Sequence, residues 1–157
     1  MKAPIRKLGE HVDAGGNKPL RLVVAALILR GPAGDGAAGV EVLICQRKPD
    51  QPMSLKWEFP GGKIEPGESS EQALIRELQE ELGIQAVIGT LVARTRHTYR
   101  NGGAVDLQFF AVHEFEGEII NQIFQDVRWA ELRDLPAYDF LAADRDLVRD
   151  LAAGKLL

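Results

Sequence analysis

At 157 residues the chain is most economically one domain, long enough to bury a sizeable core. Hydrophobic residues at 45% and charged residues at 27% give an ordinary globular composition. A formal net charge of −4 without a basic stripe argues against a nucleic-acid duplex as partner, and the longest apolar run, "LVVAALIL" at 22–29, is too short to span a bilayer.

In chain order, residues 1–19 read as a polar, glycine-containing N-terminal arm with no apolar h-region of the signal-peptide kind. "RLVVAALILR" is short and rich in Val, Leu and Ile, which predicts a strand buried on both faces. "GPAGDGAAG" at 31–39 is a loop by composition and leads into "VEVLICQRK", an antiparallel return strand. Cys45, the only cysteine, lies inside that strand and reads as a buried thiol rather than a nucleophile; a reducing cytoplasm is the expected compartment. Next comes "WEFPGGKIEPGE" (57–68), which crowds three glycines and three glutamates into twelve positions. Acids ask for a cation, and clustered glycines ask for something that approaches the backbone closely.

"SSEQALIRELQEELG" is the strongest helix in the chain. Ser69 caps it, Gln72 completes a capping box, and Gly83 stands at the C-cap position. On a wheel at ~100° per residue, Leu74, Ile75, Leu78 and Leu82 form the core-facing stripe, with Glu77, Glu80 and Glu81 on an adjoining arc. "QAVIGTLVARTRHTY" and "AVDLQFFAVHEFEG" read as two strands around the hairpin signal "RNGG". "DVRWAEL" is a last strand, and "DFLAADRDLVRDLAAG" an amphipathic helix with Leu141, Leu147 and Leu151 near one face. The mixed strands and two helices indicate an α/β layered sandwich, with residues 20–157 as its single domain.

An acidic helix face by itself is usually a solvated surface, and like charges at this spacing repel. The spacing around it changes that reading. Gly62, five residues, Glu68, seven residues, Arg76-Glu77-Leu78, one residue, Glu80-Glu81, one residue and Gly83-Ile84 match G-x5-E-x7-R-E-U-x-E-E-x-G-U at all nine specified positions. By this motif the chain resembles the Nudix hydrolases, and from about residue 20 to about 150 it is most similar to the MutT type. The resemblance implies a Nudix-type α/β/α sandwich with a mixed central sheet. It also implies Mg²⁺ as cofactor, with Mn²⁺ as an alternative, and a small-molecule nucleotide as partner to a monomer or homodimer. Carboxylate oxygens suit such hard cations.

Carried onto this chain, the resemblance makes Glu68, Arg76, Glu77 and Glu80 catalytic. It makes the Gly61 carbonyl, Glu77, Glu80 and Glu81 metal ligands, and Arg47, Phe59, Lys63 and Asp144 substrate contacts. Plainer readings stand beside some of these: Phe59 as core, Arg47 as a strand-end charge, Asp144 as an acid favoured by a helix N-terminus. His97 and Tyr99 are cleft or half-buried sheet residues. The reaction implied is hydrolysis of a nucleoside triphosphate to monophosphate and pyrophosphate, with 8-oxo-dGTP first and CTP or 5-methyl-dCTP next as substrates.

Two departures matter. The namesake of the type has asparagine where this chain has Asp144, and an ionised carboxylate only accepts, whereas a protonated one mimics the amide. Ile123 stands where the type often carries a further glutamate, leaving Glu118, Glu114 or Asp126 as stand-ins and Glu80 and Glu68 as candidate bases. The rival readings are a Nudix hydrolase of ADP-ribose or a dinucleoside polyphosphate, and a non-catalytic Nudix binding module.

Overall fold

In the computed structural model, residues 20–32 and 39–157 are described. The N-terminal arm expected at 1–19 and positions 33–38 of the predicted loop lie outside these residues.

Strand β1 (Leu20–Arg30) is the axis of the molecule. Alternation sends Ala25, Leu27 and Leu29 into one core and Leu22, Val24, Ala26 and Ile28 into another, so the strand must be apolar on both faces. Around it stand β2 (Glu41–Gln46), β3 (Trp57–Glu58), β4 (Gly61–Lys63), β6 (Leu91–Thr98), β7 (Ala104–Val112) and β9 (Asp126–Glu131). Together these make a seven-stranded mixed sheet among the described residues. One edge of β1 runs parallel to β7 from Leu20 to Ile28.

Its other edge changes partner. Val23 to Ala25 pair with β4, whereas Leu29 and Arg30 pair with β2. Between them the Ala26 N–H donates to the Pro60 carbonyl at 2.8 Å. A sheet that divides along one strand opens a crevice beside the division, and the glycine-rich segment lies in it.

The helix predicted from 69 to 83 is α1 (Ser70–Leu82). The Gln72 N–H donates to Ser69 Oγ at 3.0 Å, the Ser69 N–H donates to Gln72 Oε1 at 2.8 Å, and Gly83 closes the helix at φ 71°. Leu74, Leu78 and Leu82 are fully buried, but Ile75 is 42% exposed, contrary to the expected stripe. The stripe is rotated toward the acids. Glu81 lies only ~20° from Leu74 on the wheel, whereas Ile75 lies ~100° away on the far side.

The two long strands expected after α1 are both interrupted. β5 (Gln85–Val87) and β8 (Glu114–Glu116) form a separate two-stranded sheet, and the chain turns at Gly89, whose N–H donates to the Ala111 carbonyl at 2.8 Å. The β6–β7 hairpin closes as predicted over Arg100–Gly103. The C-terminal helix, α2 (Arg145–Ala152), is shorter than expected. Pro136 lies in a 3₁₀ turn and Leu141 precedes the helix, leaving Leu147, Val148 and Leu151 as its buried residues. α1 covers one face of the sheet and α2 the other, the predicted α/β/α layering. No described helix is long and apolar enough to cross a membrane.

Candidate active site

The segment 57–68 threads the crevice. Trp57 and Phe59 point into the core beneath α2, and Glu58, between them on the strand, faces the other way. Phe59 is 4% exposed and packs on Phe109 and Phe140 at 6.1 and 5.2 Å between ring centroids. It is therefore core, and it also lines the cleft. Gly61 and Gly62 permit close approach. A methyl group on Gly61 would overlap the Val24 carbonyl, and one on Gly62 would overlap the Glu77 carboxylate.

Arg76 organises the acids. Its Nε and Nη2 donate to the two Glu68 oxygens at 2.6 and 3.0 Å, a bidentate pair. Nη1 reaches Glu77 at 3.1 Å and Glu80 at 3.3 Å, and Nη2 also donates to the Lys63 carbonyl at 3.0 Å. The hydrogen bond from Arg76 holds Glu68 below the usual carboxylate range. Glu81 lies deeper, accepting from the Gly61 N–H at 3.1 Å. Burial, then the charge of Glu77, pushes Glu81 up to about 9, and burial also raises Glu77.

Among the described residues no three acids stand as a ready ligand cluster. Arg76 draws Glu77 and Glu80 to itself, and the Gly61 N–H draws Glu81. The residues nonetheless fit a hard divalent cation. Two partly buried carboxylates are crowded against each other, backed by a glycine that leaves no room for a side chain, and both carry raised proton affinity that a cation would relieve.

From Glu81 a cleft of about 760 Å³ runs along β1; Glu68, Arg76, Glu77 and Glu80 are not among the described residues that line it. Gly61, Gly62 and Lys63 line it with Glu81 where β4 pairs with Val23 to Ala25. Tyr99 lines it at the other end, beside the Leu20–Ala104 pair where β1 begins, and shares the cleft there with Ala143 and Asp144, whose charge it feels. Asp144 is brought there by the C-terminal segment, which docks on β3 through Trp57 N–H to Asp139 O and Leu141 N–H to Trp57 O, both 2.9 Å. Its carboxyl is 4% exposed, caps no helix N–H, and is pushed up to about 8 by burial and then by Glu58. It therefore holds its proton at neutral pH. Tyr99 lines the cleft; His97 packs against it at 4.8 Å, ring to ring. Ile123 also lines the cleft, 42% exposed, and brings no acid.

Arg47 meets the cleft as expected, but its charge is committed: Nη1 lies 3.2 Å from both Glu58 oxygens and Nε donates to the Pro52 carbonyl. Glu58 is a cleft residue that sequence reasoning passed over. Its burial raises its pKa against the pull of Arg47, and its charge is felt at both Glu81 and Asp144, so it links the two ends of the cleft. The alternation Trp57-Glu58-Phe59, one acid between two core aromatics, was the available signal.

The model of the NUDIX domain matches residues 19–151, most of the chain. The chain belongs to the Nudix family. This Nudix hydrolase is 37% identical to the CTP pyrophosphohydrolase of Escherichia coli K12 over 131 residues, 83% of this chain and 90% of that one. It is 39% identical to the 8-oxo-dGTP diphosphatase of the same organism over 111 residues, 71% and 85% of the two chains. The solution structure of the E. coli ORF135 protein superposes with a TM-score of 0.73 at 35% identity, covering 90% of this chain and 94% of that chain. The resemblance is of the MutT type.

Proposed function

We propose that this Nudix hydrolase cleaves a nucleoside triphosphate to the monophosphate and pyrophosphate with Mg²⁺, or Mn²⁺ in its place. The observation that carries the reading is the continuity of one cleft, from the glycine turn and Glu81 of α1 to the buried Asp144. A polyphosphate fits the first end and a nucleobase the second. The metal, when bound, polarises a phosphoryl oxygen and acidifies water. Glu77, Glu80, Glu81 and the Gly61 carbonyl are the residues that would hold it.

The chain's own groups do the rest. Arg76 fixes Glu68 and orients Glu77 and Glu80 from a single guanidinium. Glu80 is the better of the two candidate bases: its side chain is 59% exposed and takes one 3.3 Å bond from Arg76, whereas Glu68 is clamped by two and held acidic. Water attacks the β-phosphorus, its proton passes to Glu80, and the bond to the α,β-bridging oxygen breaks, so the monophosphate leaves carrying that oxygen. Lys63 meets phosphate, as does the Nη2 of Arg47, the one guanidinium nitrogen that neither Glu58 nor Pro52 engages, and Phe59 forms part of the base floor. Protonated Asp144 offers the base both a donor and an acceptor. CTP-like and 8-oxo-dGTP-like triphosphates are the substrates favoured. We assign the enzyme to the cytoplasm, as one domain over residues 20–157.

The test is a nucleotide panel with Mg²⁺ and with Mn²⁺, separating monophosphate, pyrophosphate and orthophosphate. Monophosphate with pyrophosphate in equal amounts is expected. Orthophosphate as the only product from triphosphates contradicts the reading, and best turnover of ADP-ribose or a dinucleoside polyphosphate moves the chain to the rival class.

A further inference from the structure

Among the described residues four cations line the cleft, and only Arg47 has a side-chain ion partner. Arg47 is paired with Glu58, Lys63 stands on the glycine turn, and Arg100 lies at the tip of the β6–β7 hairpin. Arg21 is the fourth. It shares a strand face with Val23 and Ala25, and in register it lies beside Val105 of β7. Ala25 pairs with Gly61, so Arg21 lies four residues, ~13 Å of strand, from the metal end. Among the described residues its guanidinium has no ion pair or hydrogen bond with any other side chain.

Away from the metal end the cleft also holds Asp144, a carboxyl nine-tenths buried with no donor bonded to it among the described residues. Tyr99 lines the same cleft and feels both charges. Its phenol is raised by burial and then by Asp144, and is lowered by Arg21 and Arg47, which places all four groups around one volume. An arginine and an aspartate that share a pocket without pairing both remain free for a ligand. The floor between them is apolar, Val23, Ala25 and Leu107 among its residues, and suits a flat ring.

We propose that Arg21 is a specificity-determining residue that donates to a carbonyl oxygen of the nucleobase while Asp144 engages its amino or ring N–H edge. The pocket then takes oxo-bearing bases and discriminates against adenine, which offers an amino group but no carbonyl. This rests on the triphosphate reading above and names the chemical class of its base. The planar fork of arginine gives direction to the contact, which a lysine would not.

The test compares wild type with Arg21→Gln and Arg21→Lys. In one arm, kcat/KM is measured for CTP, GTP and ATP; in the other, CMP, GMP and AMP are titrated calorimetrically without metal. Wild type is expected to favour the oxo-bearing base in both arms. Arg21→Gln should lower the CTP-to-ATP and GTP-to-ATP ratios by about tenfold, with the same trend among the monophosphates, and Arg21→Lys should recover only part of it. A loss of equal factor for all three bases marks a phosphate contact and overturns the proposal. So does an unchanged ratio, or a wild type without preference against adenine. Absence of triphosphate turnover would strike the proposed function instead, and the monophosphate arm would still decide the role of Arg21.

Discussion

Arg76 donates to Glu68, Glu77, Glu80 and the Lys63 carbonyl at once, so its value lies in the fork rather than in the charge. Arg76→Lys keeps the charge and loses the geometry. It should lower kcat about 10- to 100-fold while leaving the fold intact, because a group that orients ligands is being removed, not a piece of core; steady-state kinetics beside a thermal melt checks this. Asp144 makes a prediction about pH. Its folded pKa of about 8 lies far above the ordinary 3.8, so its contribution to stability is complete below 3.8 and is lost as pH rises toward 8. Asp144→Asn keeps the shape and removes the titration. It should stabilise the metal-free protein at pH 8 by an amount on the order of 5 kcal/mol and make little difference near pH 4. Urea melts of both proteins across that range give the answer, and a variant destabilised at pH 8 would contradict the buried-acid account.

Among the elements, α1 was legible almost to the residue, because its caps are local chemistry: Ser69, Gln72 and Gly83 satisfy their backbone partners within a few positions. The glycine turn was legible for a similar reason. Ile75 was not, since a helical wheel gives the width of the apolar stripe but not where its neighbours lie; Gly61, which receives Glu81, is twenty residues away. Glu58 and Arg21 were missed because each looks like an ordinary charge on a strand until the sheet divides beside it. The interruption of the predicted strands near Gly89 arises from a backbone bond to Ala111, a long-range contact with no local signature. Two substitutions separate the cap from the site. Ser69→Ala should cost about 1 kcal/mol of stability with kcat preserved. Gly62→Ala should abolish turnover, since the Glu77 carboxylate must move to admit the methyl group, and its melt should change less than its rate.

At the scale of the whole molecule, the cleft exists because β1 serves two partners on one edge and β7 on the other. Two hydrophobic cores, one on either side of the sheet, are built without the metal-site acids. Chelation should therefore stop turnover while leaving a cooperative melt, and adding Mg²⁺ back should raise the midpoint through binding to the folded state alone. That rise should shrink in Glu81→Gln, which removes one of the crowded carboxylates. On the proposed reading the phosphates lie at the glycine turn and the base beside Asp144, which puts the β-phosphorus before the attacking water. Hydrolysis in ¹⁸O-labelled water, followed by mass analysis of the products, tests this most directly. The account predicts label in pyrophosphate and none in the nucleoside monophosphate. Label in the monophosphate, or label released as orthophosphate, would contradict it.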